Sequence, residues 1–218
     1  MPFRAVIFDL DGTLLDTIED LTDSMNAALV RMGHPVRTIA ECKQLVGDGL
    51  ETFVRRALPA AAADDPRERT RLRELMRLEY GERSVLKTRP YPGVPDLLDT
   101  LAARNVPAAV LSNKPHDSTV AIMAHYFSRW SFQAVFGARD GVPVKPDPAG
   151  AFEIARIFGI GPADIAYVGD TNTDMQTATA AGMYAVGALW GFRTSGELLA
   201  NGAKILIERP MDLMPILG

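Results

Sequence analysis

The chain has a single cysteine, Cys42, in 218 residues, so no intramolecular disulfide is available and packing must hold the fold. Its three histidines, His34, His116 and His125, have no metal-ligand spacing; helix surfaces or caps are their expected places. No apolar run approaches the roughly 20 residues that span a bilayer. An excess of basic charge is also missing: 23 basic residues against 27 acidic ones leave a net charge of -4, which excludes the electrostatic footprint of a nucleic-acid binder. No charged leader with an apolar core precedes the first strand, so a soluble cytoplasmic protein is expected. Repeats and low-complexity linkers are absent apart from the run Ala60 to Ala63. A small-molecule partner is what these exclusions leave, taken up by a monomer or a homodimer.

What the chain has is apolar sequence broken by acids at particular places. At 47% apolar content it can bury one large core with an insertion, or two modest domains. The run Phe3 to Phe8 reads as a buried strand and feeds into Asp9-Leu10-Asp11-Gly12-Thr13. Residues i and i+2 of an extended chain point the same way, so Asp9 and Asp11 place two like charges together at a strand end. Such a pair is costly unless a cation or a proton lies between them. An Asp/Gly-rich surface turn is the bland alternative, but it leaves an apolar strand running straight into two acids unexplained.

After Asp16 the period changes from strand to helix: Asp16 is placed to cap with Glu19, and Ile18, Leu21, Met25, Ala28, Leu29 and Met32 recur at helical spacing up to Gly33. Further helices are expected at Ile39 to Leu45, Leu50 to Leu58 and Pro66 to Arg83, with no strand among them. The last carries Arg67, Arg69, Arg71, Arg73 and Arg77 interspersed with Glu68, Glu74, Glu79 and Glu82, which reads as a solvated face and not as a polyanion site. Beyond Gly93 the pattern alternates. Helices are expected at Val94 to Arg104, His116 to His125, Pro148 to Phe158 and Met175 to Ala181. The strands between them are Ala108 to Leu111, Gln133 to Phe136, Ile165 to Val168, Tyr184 to Val186 and Lys204 to Ile207. The expected fold is therefore α/β, a Rossmann-like doubly wound parallel sheet formed by 1–15 and 88–218, interrupted by an all-helical unit at 16–87. Ligands of such sheets bind outside the carboxyl ends of the strands. Asp9, Ser112 and Asp170 all fall just past a strand. Three carboxylates without a His or Cys cluster form a hard oxygen site suited to Mg2+.

Four stretches in this order, Asp9 to Thr13, the strand ending in Ser112-Asn113-Lys114, Lys145 in Val144 to Pro148, and Val168-Gly169-Asp170-Thr171-Asn172-Thr173-Asp174, resemble the four motifs of the haloacid-dehalogenase-like hydrolases. Gly47-Asp48-Gly49-Leu50, Asp140 to Pro148 and Trp190-Gly191-Phe192-Arg193 are similar to the phosphoglycolate phosphatases of that family. The resemblance implies a helical C1-type cap at 16–87 and an Mg2+ site in which Asp9 and Asp170 offer side-chain oxygens, Asp11 its backbone carbonyl, and Asp174 lies in or near the second shell. It implies that Asp9 attacks phosphorus to give an aspartyl-phosphate, that Asp11 is the acid and then the base, and that Lys145 shields charge. Gly12, Thr13, Ser112, Asn113, Gly47, Asp48 and Gly49 become the implied substrate-binding residues. Asp11 favours a phosphatase over a dehalogenase, because an ester oxygen needs a proton to leave and a halide does not. Lys145 could instead be a surface lysine, Lys114 could only cap the following helix, and Gly47 to Gly49 could be a plain turn. A pyrophosphatase, a sugar-phosphate mutase and a non-catalytic phosphate-binding protein are the competing readings on the same scaffold.

Overall fold

The computed structural model describes residues 3–218. Strand β1 (Ala5–Phe8) is buried on both faces, as a central strand of a parallel sheet must be. Val6 and Phe8 enter one apolar layer and Ala5 and Ile7 the other, so the period of two divides the chain between two helical layers. The chain then leaves the sheet through β2 (Leu15–Asp16), forms α1 (Ile18–Arg31), α2 (Ile39–Leu45), α3 (Leu50–Ala57), α4 (Ala60–Ala63) and α5 (Pro66–Arg83), and returns through β3 (Arg89–Pro90). The two short strands pair antiparallel, Leu15 with Pro90 and Asp16 with Arg89, so the outgoing and incoming connections form one ribbon. Helices α1 to α5 bury their own apolar cluster, which includes Met25, Leu29, Val54 and Leu72.

The remainder alternates helix and strand: α6 (Val94–Ala103), β4 (Ala108–Pro115), α7 (His116–Phe127), β5 (Ala134–Ala138), α8 (Ala149–Phe158), β6 (Ile165–Gly169), α9 (Asn172–Ala180), β7 (Tyr184–Ala188), α10 (Ser195–Ala200), β8 (Ile205–Ile207) and α11 (Met214–Leu217). The sheet has the order β5-β4-β1-β6-β7-β8, and its paired strands are all parallel. After β5 at one edge the chain crosses back to β6 on the other side of β1. That reversal opens a crevice at the carboxyl ends of β1, β4 and β6, where a ligand binds without breaking the sheet. The α/β architecture with an inserted helical unit is the one expected from the sequence. Among the described residues no helix is long and apolar enough to cross a membrane.

Several elements differ from expectation for local reasons. Asp16 caps nothing: its carboxylate faces Arg89 across the ribbon at 3.3 Å, and Thr17 holds the helix-cap position. Helix α9 begins at Asn172 instead of Met175, because Thr171 and Asp174 form a reciprocal capping box. Strand β4 runs on to Pro115 across a register shift that follows Leu111, which makes Ser112, Asn113 and Lys114 part of the strand end. The alanine run is helical, and the β2/β3 ribbon and α10 were not expected at all.

Candidate active site

Strand β1 ends by sending Asp9 into the crevice, its backbone amide bonded to Val168 O of β6 at 2.9 Å. Asp170 follows β6 and Asp174 lies in the first turn of α9. One carboxylate oxygen from each of these three buried acids falls within 4.8 Å of the others. Lys145 enters the cluster from the loop before α8, with Nζ 2.8 Å from Asp9 Oδ1 and 2.7 Å from Asp174 Oδ1. The lysine is buried, which excludes its reading as a surface residue. Asn113 holds the backbone of Lys145 on both sides, accepting from its N–H at 2.8 Å and donating to its carbonyl at 3.0 Å.

One cation among three carboxylates leaves the cluster short of positive charge. Burial, followed by the charges of Asp174 and Asp170, pushes the Asp9 carboxyl well above the usual range against the pull of Lys145. Burial and then Asp174 push Asp170 up to about 7, although the Phe192 N–H and the Thr13 hydroxyl favour its charged form. For Lys145, burial opposes the ammonium but Asp174 and Asp9 outweigh it, and its pKa is raised. A divalent cation would supply the missing charge. The donors are all carboxylate oxygens, the set that Mg2+ prefers, so the residues fit the ion.

Asp170 is held tightly. Thr13 Oγ1 donates to it at 2.7 Å and Phe192 N at 2.8 Å. Two glycines allow this approach: a Cβ on Gly12 would lie 2.3 Å from Asp170 Oδ2, and one on Gly191 2.2 Å from Asp170 Cβ. Gly12 also turns at φ +89°, which a side chain would strain. Gly12 and Thr13, expected at the substrate, therefore support Asp170 and do not line the cavity. Asp174 is occupied on both oxygens, by Lys145 on Oδ1 and by the N–H and hydroxyl of Thr171 on Oδ2. It places Lys145 and caps α9 at the same time.

Asp9, Asp11, Ser112, Asn113, Gly47 and Gly49 line one cavity of about 450 Å³ between the sheet edge and the inserted helices. The opposite wall is α3 and α5, through Phe53, Met76 and Tyr80. Asp48 departs from expectation: its carboxylate meets Arg56 at 2.6 Å and accepts from Thr173 Oγ1 at 2.5 Å, and it lies outside the cavity lining. It fastens the inserted unit to the sheet. Arg193 does the same more strongly, its guanidinium donating to the carbonyls of Lys43, Gln44 and Val46 at the end of α2, while the neighbouring Phe192 packs into the cluster of the inserted helices. Lys114 does more than cap a helix. Its buried Nζ lies 3.0 Å from each Asp11 oxygen and 4.4 Å from the centre of the Tyr80 ring. Burial works against its charge, but Asp11 overrides that and its pKa rises. The sequence signal for this was a lysine at a strand end facing two acids.

Over 214 residues the chain is 31% identical to phosphoglycolate phosphatase 1 of Pseudomonas aeruginosa, covering 97% of this chain and 79% of the relative. It is 33% identical to phosphoglycolate phosphatase of Chromobacterium violaceum, with 97% and 96% covered. A crystal structure from Lactobacillus delbrueckii subsp. bulgaricus superposes with a TM-score of 0.92 at 31% identity, over 100% of both chains. The family model of the haloacid dehalogenase-like hydrolases matches residues 6–188, a span that takes in all four carboxylates and both buried lysines. With the match running through the sheet, the inserted helices and every one of those side chains, the chain belongs to the haloacid dehalogenase-like hydrolases.

Proposed function

We propose that the protein is a Mg2+-dependent phosphomonoesterase that hydrolyses 2-phosphoglycolate through an aspartyl-phosphate on Asp9. The observation that carries this reading is the pairing of Asp9 and Asp11 on one cavity, with a buried lysine on each. Binding alone needs neither a nucleophile nor an acid beside it. The substrate is suggested by the relatives, two of which are phosphoglycolate phosphatases similar to this chain over nearly its full length.

In this mechanism Asp9 attacks phosphorus, the bond from phosphorus to the ester oxygen breaks, and Asp11 gives that oxygen its proton. Water then attacks the acyl phosphate, Asp11 takes a proton from it, and phosphate leaves with the Asp9 carboxylate restored. Asp9, Asp170 and the Asp11 carbonyl would hold Mg2+, which would supply the positive charge that offsets the nucleophile and the phosphoryl oxygens. Lys145 shields the same charges from the other side, positioned by Asp174 and Asn113. Ser112 through its hydroxyl and Asn113 through its backbone N–H hold the phosphoryl oxygens in line, since the Asn113 side chain is spent on Lys145 and Gly47. Residues 16–87 act as the cap and exclude water from the site, and 1–15 with 88–218 form the catalytic core. The enzyme works in the cytoplasm as a monomer or homodimer.

A steady-state panel of phosphorylated metabolites with Mg2+ tests the reading. The expected result is the highest kcat/KM for 2-phosphoglycolate, loss of turnover in chelator, and a drop of several orders of magnitude in Asp9→Asn. A hexose phosphate or pyrophosphate preferred by about tenfold, or about 1.4 kcal/mol of transition-state preference, overturns the substrate and leaves the phosphatase standing. Undiminished hydrolysis by Asp9→Asn overturns the chemistry itself.

A further inference from the structure

The cavity of about 450 Å³ is far larger than a two-carbon phosphate ester requires, so size alone does not select a small substrate. Selection must come from polar groups placed where the leaving group sits. That place is beside Asp11, whose carboxyl must reach the ester oxygen. Much of the wall around it is apolar, including Leu50, Phe53 and Met76. Three basic side chains line the cavity, and two of them, Arg77 and His125, are exposed to solvent, where an ionic contact is worth little. The third is Lys114, buried and adjacent to Asp11.

Two features mark this corner as a receptor. An ammonium has three N–H donors and accepts nothing. Lys114 engages the two Asp11 oxygens, which leaves donor capacity on a buried cation. Tyr80 of α5 covers it from the cap side, and the buried Tyr80 hydroxyl, close to the Lys114 ammonium, makes no hydrogen bond of good geometry with any described residue. A buried hydroxyl without a good partner is costly, and an arriving acceptor removes that cost.

Resting on the phosphoglycolate reading, we propose that Lys114 and Tyr80 are the specificity-determining residues of this site, forming a receptor for a carboxylate carried on the ester carbon. An acid group there lies two bonds beyond the ester oxygen, close to the side chain that holds Asp11. Lys114 supplies the charge and one donor, and the Tyr80 hydroxyl supplies a second donor from the inserted helices. The acidic end of the substrate then touches both the sheet and the cap, so recognition requires the two to be together. Esters with a neutral end of the same length meet an apolar wall and leave the hydroxyl without a good partner.

The test compares 2-phosphoglycolate with ethyl phosphate, which has the same length and no acid, by their ratio of kcat/KM with Mg2+ in the full chain. Lys114→Met should lower this ratio at least tenfold, about 1.4 kcal/mol, because a charged hydrogen bond is lost. Tyr80→Phe keeps the ring over Lys114 and should lower the ratio by about three- to tenfold, in line with one neutral donor. If Lys114 merely positions Asp11, both substrates slow equally and the ratio holds, which overturns the inference. An unchanged ratio in Tyr80→Phe with native thermal unfolding removes the hydroxyl from the receptor and overturns it too. A wild-type enzyme that hydrolyses ethyl phosphate as well as 2-phosphoglycolate overturns the substrate reading as well; a wild-type preference retained in both variants overturns the receptor alone.

Discussion

Without divalent metal the protein should lose stability as pH rises through neutrality, because the carboxylates of the cluster are buried together. Asp170 moves from an ordinary 3.8 to about 7 in the folded state, so folding favours its protonated form. That contribution is complete below about pH 4 and disappears as pH passes about 7. At 1.36 kcal/mol per pKa unit the shift amounts to about 4 kcal/mol between those limits. Asp9 is raised by the same causes and adds with the same sign. The carboxylates held below their ordinary values, such as Asp48 and Glu153, act oppositely, but they finish titrating at acid pH and leave the window from 5 to 8 to the cluster. Urea unfolding followed by circular dichroism, in chelator, from pH 5 to 8 measures the slope. Asp170→Asn should flatten much of it, since the amide oxygen still accepts from Phe192 N and the amide nitrogen can donate to Thr13. Saturating Mg2+ should also restore the wild type at the high end, by about 2.7 kcal/mol at a hundredfold excess over Kd. A wild-type stability that is flat or rises from pH 5 to 8 in chelator refutes the buried, uncompensated cluster.

Gly191→Ala forces a methyl group into the Asp170 side chain, so about 1–3 kcal/mol of stability and most Mg2+ affinity should go, read by thermal unfolding and by Mg2+ titration calorimetry. Arg193→Met strips the donor from three carbonyls at the end of α2. Hydrogen exchange should then rise across residues 38–46 while β1 and β6 stay protected, and equal protection of α2 in both proteins would remove Arg193 as the fastener of cap to sheet.

The sequence by itself determined the layers and the chemistry. The apolar run from Phe3 to Phe8, helical spacing after Ile18 and acids just past two strands are local patterns, and they produced the elements and the strand-end acids expected of them. The candidate nucleophile and the acid of β6 were legible for the same reason: each stands immediately beside a strand whose direction the pattern sets, whereas Lys145, in the loop before α8, was picked out by the family resemblance. What depended on contacts across the chain was not. Thr13 and Asp170 are 157 residues apart, Arg193 meets α2 across about 150, and Tyr80 meets Lys114 from a helix whose charged face reads as solvated. No periodicity reports which side chain will face another element, since that follows from how the helical unit docks on the sheet. Asp48 illustrates the difference. A Gly-Asp-Gly turn pointed to substrate, and only the docked fold, placing Arg56 and Thr173 around the carboxylate, turned it into an attachment. Side-chain type and local pattern decide what chemistry is possible; tertiary packing decides which groups share one cavity and which are spent holding its walls.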